Sequence, residues 1–220
     1  MMKIVIPFKF DSTRLPNKNI IEFADGKSLL DISVENFKKH NHEVFLACED
    51  RGETYDLLKK YDAQHIQLND TSNQWLNVLI ELSESLNKKF SPKEAVCLWQ
   101  CIMPLFWLYN DIEVFFDFAK ENIGKYESVI PVYEFKDYLV DENLQGLNFG
   151  PGSWHVPSQD LPKIYYITPM CVTTPSVLHK YRYTYSPNSV LWTAKGPYID
   201  IDTQEEFNIA KLIWNDHQQR

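Results

Sequence analysis

Apolar residues in this chain come in short β-branched runs separated by stretches of helical spacing, and the two patterns alternate. Lys3 to Pro7 predicts a buried strand, and after a long loop Ser28 to Lys39 carries Leu29, Leu30, Ile32, Val34 and Phe37 close to a helical period. Glu43 to Cys48 predicts a second strand, Tyr55 to Tyr61 a helix and His65 to Leu68 a short third strand. Asn73 to Lys89 gathers Trp75, Leu76, Val78, Leu79, Leu82 and Leu86 on one side, with Glu and Lys opposite, as an amphipathic helix does. Ala95 to Gln100 follows as a strand, Asp111 to Asn122 as a helix and Glu127 to Tyr133 as the next strand. Asp111 stands near its helix N-terminus, where the dipole favours negative charge.

Strands separated by helices imply right-handed crossovers, so the expected fold is α/β: a three-layer sandwich around a mostly parallel central sheet. Ligands of such sheets sit beyond the carboxyl ends of the strands, which directs attention to the loops there. Residues 134–163 break the rhythm with Pro, Gly, Asn and Asp, and read as an excursion over the sheet or toward a partner subunit. Tyr165 to Thr174 and Tyr198 to Ile201 predict late strands, and Thr203 to Asp216 a closing helix. No internal repeat is present, and 220 residues suit a single domain spanning 1–220.

Charge narrows the partners. Asp and Glu number 30 against 22 Lys and Arg, with no basic stripe to follow a polymer of phosphates, so nucleic acid is an unsuitable partner. No apolar run approaches the roughly 18 residues of a membrane span, and the apolar part of the N-terminus is too short for a signal peptide, so the expected location is cytoplasmic. Cys48, Cys97, Cys101 and Cys171 fall in or beside buried strands without a CxxC pair, as reduced core residues do.

The loop after the first strand carries the candidate chemistry. Pro7-Phe8-Lys9-Phe10-Asp11-Ser12-Thr13-Arg14-Leu15-Pro16-Asn17-Lys18-Asn19 sets three cations, Lys9, Arg14 and Lys18, within ten residues of an acidic chain. Fixed cations there neutralise a phosphate-rich ligand and its leaving group; a solvated loop is the plainer alternative. The segment contains no Gly, so it is neither a GxxxxGK[ST] nor a GxGxxG loop. At the other end, Asp200 and Asp202 are two apart, which in an extended segment turns both carboxylates to one side. Two such carboxylates suit a nucleotide-bound Mg²⁺; alternatively, Asp202 caps the helix that begins near Thr203.

The loop resembles the signature A-R-x-G-S-K-x-L-P-x-K-N of the acylneuraminate and ulosonate cytidylyltransferases, with Ser12, Leu15, Pro16, Lys18 and Asn19 in register and Lys9 at the place of the first Arg. Further segments are similar to family motifs in the same order. They are Gly26 to Leu30 (G-K-P-L), Phe45 to Asp50 (V-S-T-D-D), Lys59 to Ala63 (K-K-Y-G-A), Leu98 to Leu105 (L-L-Q-P-T-S-P-L), Ser158 to Tyr165 (R-Q-D-L-P-K-x-Y) and Tyr198 to Phe207 (I-D-I-D-T-x-E-D/E).

The resemblance implies a nucleotide-diphospho-sugar transferase (Rossmann-like) fold and a homodimer whose 134–163 excursion serves dimerisation or acceptor binding. It also implies a transfer of CMP from CTP to an acidic sugar with release of pyrophosphate. Lys9, Lys18 and Arg14 would then act on the phosphates, and Phe8, Ser12, Asn19, Thr71 and Ser72 on the nucleotide. Gln100, Gln159 and Tyr166 would meet the acceptor, and Asp200 with Asp202 would hold Mg²⁺. Ser158 and Tyr166 stand where the family has arginines, which form paired bonds to a carboxylate that Ser and Tyr do not replace. The acceptor implied is therefore an ulosonic or nonulosonic acid other than standard sialic acid. A different small acceptor, such as another sugar or a phosphonate, and a non-catalytic nucleotide-binding relative remain as alternatives.

Overall fold

The computed structural model describes residues 1–69, 75–150 and 157–219. In chain order the elements are β1 (Lys3–Pro7), β2 (Glu22–Ala24), β3 (Lys27–Ser28), α1 (Leu29–Lys39), β4 (Glu43–Cys48), α2 (Gly52–Tyr61), β5 (Gln64–Gln67), α3 (Trp75–Lys89) and β6 (Val96–Leu98). There follow α4 (Phe106–Tyr109), α5 (Ile112–Asn122), β7 (Ser128–Phe135), a 3₁₀ turn at Ser158–Asp160, β8 (Ile164–Ile167), β9 (Cys171–Thr173), α6 (Pro175–Tyr181), β10 (Ser189–Thr193) and α7 (Gln204–Gln218).

The main sheet runs β10-β7-β9-β6-β1-β4-β5, with β8 also paired to β7. The ladders β1/β4, β1/β6, β4/β5 and β7/β10 are parallel, while β9 is antiparallel to both β6 and β7, and β8 to β7. The sheet is thus mostly parallel, as expected. Its central strand β1 is buried on both faces, which explains why its sequence is an apolar run rather than an alternation. Ile4 and Ile6 face a core with Phe37 of α1, Phe115 and Phe116 of α5 and Phe207 of α7, while Val5 faces Leu79, Leu82 and Leu86 of α3. Helices therefore cover both faces, giving three layers.

Local chemistry sets the entry to α1. Asp25 and Gly26, both at positive φ (52° and 72°), make the two-residue turn between β2 and β3, as suits an Asp-Gly hairpin. Ser28 then caps α1, and Asp31 returns the bond to the Ser28 backbone N–H. The buried Asp31 carboxylate also accepts from Lys60 and Tyr61 of α2. Burial works against its charge, but the bonds from Lys60, Ser28 and Tyr61 win and hold its carboxyl down at about 2, against 3.8 unperturbed. The resulting stability is fully present above pH 3.8 and is lost as pH falls toward 2. Asp31→Asn is expected to cost about 2 kcal/mol at pH 7 in urea denaturation and nothing near pH 2. A pH-independent cost would contradict the network.

Two strand expectations are corrected. Tyr165 to Thr174 is not one strand but two, β8 and β9, which pair in turn with the same edge of β7. The break lies opposite Pro131, which has no N–H to continue the ladder; its carbonyl is instead met by the Thr168 hydroxyl at 2.6 Å. Thr168 and Pro169 consequently leave the sheet. Tyr198 to Ile201 is extended but belongs to no ladder. It is held by other contacts: Tyr198 stacks on Tyr166 (4.5 Å between centroids) and meets Tyr133 edge-on, and Ile201 N–H donates to the Ile102 carbonyl at 2.9 Å. Within 134–163, beyond Phe135, the described residues form turns, an isolated bridge between Val140 and Gly146, and the 3₁₀ turn. Asn148 braces this excursion, accepting from Leu139 N–H and donating to the Asp137 carbonyl.

All four cysteines are buried free thiols. No helix among the described residues is long and apolar enough to cross a membrane.

Candidate functional site

A cleft of about 650 Å³ opens at the carboxyl ends of β1, β4, β5 and β6. The chain runs outward from β1 to β4 and β5, then returns to the other side of β1 with β6, so the cleft lies at the reversal where open α/β sheets bind ligands. Phe8, Lys9, Ser12, Arg14, Lys18 and Asn19 line it from the loop after β1, and Gln100 does so from the turn after β6. Asp200 and Asp202 reach it from the extended segment before α7. Sequence positions nearly 200 residues apart thus share one cavity.

The loop is shaped to present Lys18. Lys18 N–H bonds back to the Leu15 carbonyl across a turn with Pro16 at its second position and Asn17 at positive φ (57°), an arrangement Pro and Asn both favour. Leu15 is buried, and Asn19 reaches the Lys9 carbonyl at 3.5 Å. Lys18 Nζ then donates to Asp202 Oδ1 and to the Ile201 carbonyl, each at 2.7 Å. Arg14 Nη2 holds Asp202 Oδ2 at 2.7 Å, although its side chain is 65% exposed where that of Lys18 is 12%.

Asp202 does not cap α7. Thr203 does, with Glu206 completing the reciprocal bond and also accepting from the Asp202 N–H. The Asp202 carboxylate is left to face the cleft. Beside it, Asp200 Oδ1 is buried and has no hydrogen-bond partner, and Lys9 Nζ is likewise buried without one. Desolvation and then the Asp202 charge push the Asp200 carboxyl up to about 6, with Lys18 working weakly the other way. A buried ammonium and a buried carboxylate oxygen left unpaired in a cleft are costly, and mark a place where a ligand completes the bonding. Two carboxylates offer a hard divalent cation oxygens of the right kind. No cluster of three or more His, Cys, Asp or Glu among the described residues offers a fuller set, so such an ion would draw its remaining ligands from substrate.

Phe10 and Asp11, at the x and Gly places of the signature, do not line the cleft. Phe10 is buried against Phe8 (5.1 Å, edge-on), with the Arg51 guanidinium over its ring at 4.5 Å. Asp11 pairs with Arg51 at 3.0 Å and stands outside the cleft lining, so it does not face a phosphate there.

Two acceptor candidates lie elsewhere. Gln159 is exposed on the 3₁₀ turn, and Tyr166, 41% exposed on β8, is engaged with Tyr198 and Phe135; neither lines the cleft of its own chain. Thr71 and Ser72 lie outside the described residues. Sequence reasoning missed the wall formed by Thr168, Pro169, Tyr183, Thr184 and Tyr185, with Trp75 of α3 also lining the cleft. The missing N–H groups of Pro131 and of Pro169 itself were the available signals that residues 168 and 169 would leave the ladder.

Residues 3–104 match the family model described as Cytidylyltransferase. Two curated relatives from Campylobacter jejuni, each named pseudaminic acid cytidylyltransferase, are 26% identical over 226 residues and 25% over 225, and each comparison covers 96% of this chain and 94% of the relative. Solved structures with the same fold include a CMP:2-keto-3-deoxy-manno-octonic acid synthetase complexed with CTP, with TM-score 0.65, 15% identity and coverage of 98% and 99%. Another is 4-diphosphocytidyl-2C-methyl-D-erythritol synthase from Anaerococcus prevotii, with TM-score 0.65, 16% identity and coverage of 97% and 96%. The family model matches a little under half of the chain, the motifs stand in order and the fold is shared over nearly the whole length, so the chain is similar to the cytidylyltransferases.

Proposed function

We propose that the protein transfers CMP from CTP to an acidic sugar, a nonulosonic or ulosonic acid other than standard sialic acid, and releases pyrophosphate. The reading is carried by the meeting of the β1 loop cations with Asp200 and Asp202 in one cleft at the carboxyl end of the sheet. The acceptor hydroxyl oxygen attacks the α-phosphorus in line; a new O–P bond forms, the bond to pyrophosphate breaks, and the hydroxyl proton leaves to water. Such chemistry needs positioning and charge neutralisation more than covalent help from the protein. Lys9, lacking a counterion, meets the phosphates, with Arg14 as a mobile helper. Phe8, Ser12 and Asn19 bound the nucleotide side of the cleft and Gln100 the acceptor side. Asp200 and Asp202 would hold Mg²⁺, which when bound supplies positive charge to the phosphate oxygens.

The proposal includes a homodimer. Leu139, Val140, Leu144 and Leu147 of the excursion are exposed apolar residues that a second copy would cover. Gln159 and Tyr166, outside their own cleft, would then serve the acceptor from that interface. A cytoplasmic location fits the sugar nucleotide chemistry.

The test is pyrophosphate release from CTP and Mg²⁺ over a panel of sugar acids. Turnover is expected with a nonulosonic acid of the pseudaminic type or with an ulosonic acid. Turnover solely with neutral sugars or phosphonates would reassign the acceptor, and CTP binding with no turnover on any acceptor would make the protein a non-catalytic relative.

A further inference from the structure

The loop after β1 carries cations into the cleft, yet its residue 11 is not the glycine of the signature it resembles. Asp11 stands there without strain: between Phe8 and Asn19 only Asn17 has a positive φ, so the chain path at residue 11 does not call for glycine. The Asp11 carboxylate lies outside the cleft, on Arg51 Nη1 at 3.0 Å. The same guanidinium covers the Phe10 ring at 4.5 Å, and Phe10 is buried against Phe8. Arg51 is itself held, at the N-cap of α2. Thr54 N–H donates to its carbonyl, and Glu53 accepts from its Nε at 3.3 Å and its Nη2 at 3.4 Å. A fixed side chain from the turn between β4 and α2 thus grips two successive residues of the loop.

Those two residues stand between the groups that line the cleft: Lys9 precedes them, and Ser12, Thr13 and Arg14 follow. We propose that Arg51 is a positioning residue for the phosphate-binding loop: it fixes Phe10 and Asp11 from behind, so that Lys9 is turned into the cleft and residues 12–14 keep their path along it. The rings on either side of Lys9 are buried in the core, which leaves its side chain the cleft to enter. Arg51 does not line the cleft and touches no ligand there. A cation over a ring and an ion pair are each modest where solvent reaches them. Acting on adjacent residues, they order the loop before an anion arrives, which lowers the cost of binding it. The assignment rests on the proposed reaction for the identity of the ligand, but not for the anchor itself.

The sign of one effect tests this. Removing an acid beside an anion site ordinarily improves anion binding. If Asp11 works through Arg51, Asp11→Asn instead raises the dissociation constant of CTP by about threefold, and changes nothing when Arg51→Met is already present. Arg51→Met alone is expected to raise KM for CTP by about fivefold to tenfold with kcat within about twofold of the parent. Tighter CTP binding in Asp11→Asn, or an equal effect of that change in both backgrounds, would overturn the assignment. Limited trypsin digestion reads the anchor without ligand, since the Arg14 side chain is largely exposed on the loop concerned. Cleavage after Arg14 should accelerate by about tenfold in Arg51→Met while the thermal midpoint stays within about 3 °C. Unchanged cleavage would deny the anchor, and a larger fall in midpoint would make Arg51 a general stabiliser; either overturns the assignment. If the parent binds no CTP, the proposed function falls while the digestion still decides the anchor.

Discussion

Asp200→Asn is expected to lower kcat by about a thousandfold and at the same time to raise the stability of the fold. The two effects share a cause. Asp200 is pushed up to about 6 by burial and by Asp202, so its charge at pH 7 is held against the preference of its surroundings. The stability linked to its protonated form is present below the unfolded value of 3.8 and is lost as pH rises through about 6. An amide of the same shape imitates the protonated carboxyl and recovers on the order of 2 kcal/mol at pH 7. On the proposed reading Asp200 holds Mg²⁺, so the change would also remove a metal ligand, and Mg²⁺ binding and activity in the parent should decline together as pH falls below about 6. Thermal unfolding and pyrophosphate release on the same preparation check both halves. A variant of unchanged stability that turns over normally would show that Asp200 is neither strained nor used.

Phe37→Ala is expected to destabilise the protein by about 4 kcal/mol, seen as a lower urea midpoint at unchanged slope. Phe37 is fully buried where α1 faces the sheet, edge-on to Trp99 at 5.1 Å and to Trp107 at 5.0 Å, and stacked near Phe116. Its removal leaves a cavity and ends several aromatic pairs that each add about 1 kcal/mol. A domain of ordinary stability keeps about 5 to 15 kcal/mol in total, so the variant is near its limit. A loss below about 1 kcal/mol would mean that the rings are loosely packed.

Much of this architecture was legible because the strands around the site are buried on both faces. The boundaries of β1 and β4 agree with the apolar runs, since a two-sided core demands them. Features outside that core were not legible. The seven residues of α6 are too few for a period, although Thr174 followed by Pro175 is a cap signal that would have located it. β10 is an edge strand with Leu191 exposed, so no continuous apolar run marks it. The segment at 198–202 alternates as a strand does, and nothing in its own residues tells that it has no neighbour to pair with. At the site, motif spacing brought Lys9, Arg14, Lys18, Gln100, Asp200 and Asp202 to one cleft. It did not reveal that Asp202 is already paired while Lys9 and Asp200 are not, because that depends on which carbonyls and carboxylates the fold brings within 3 Å.

Lys18 and Ile201 are joined across 183 positions of chain. During synthesis, therefore, the cavity has no floor until residue 202 has emerged, and a ribosome-bound precursor with β1 to β7 in place has nothing complete to offer a small molecule. Whatever occupies the finished cavity stabilises only the finished protein. The first half must reach its shape through its own packing, unassisted by ligand.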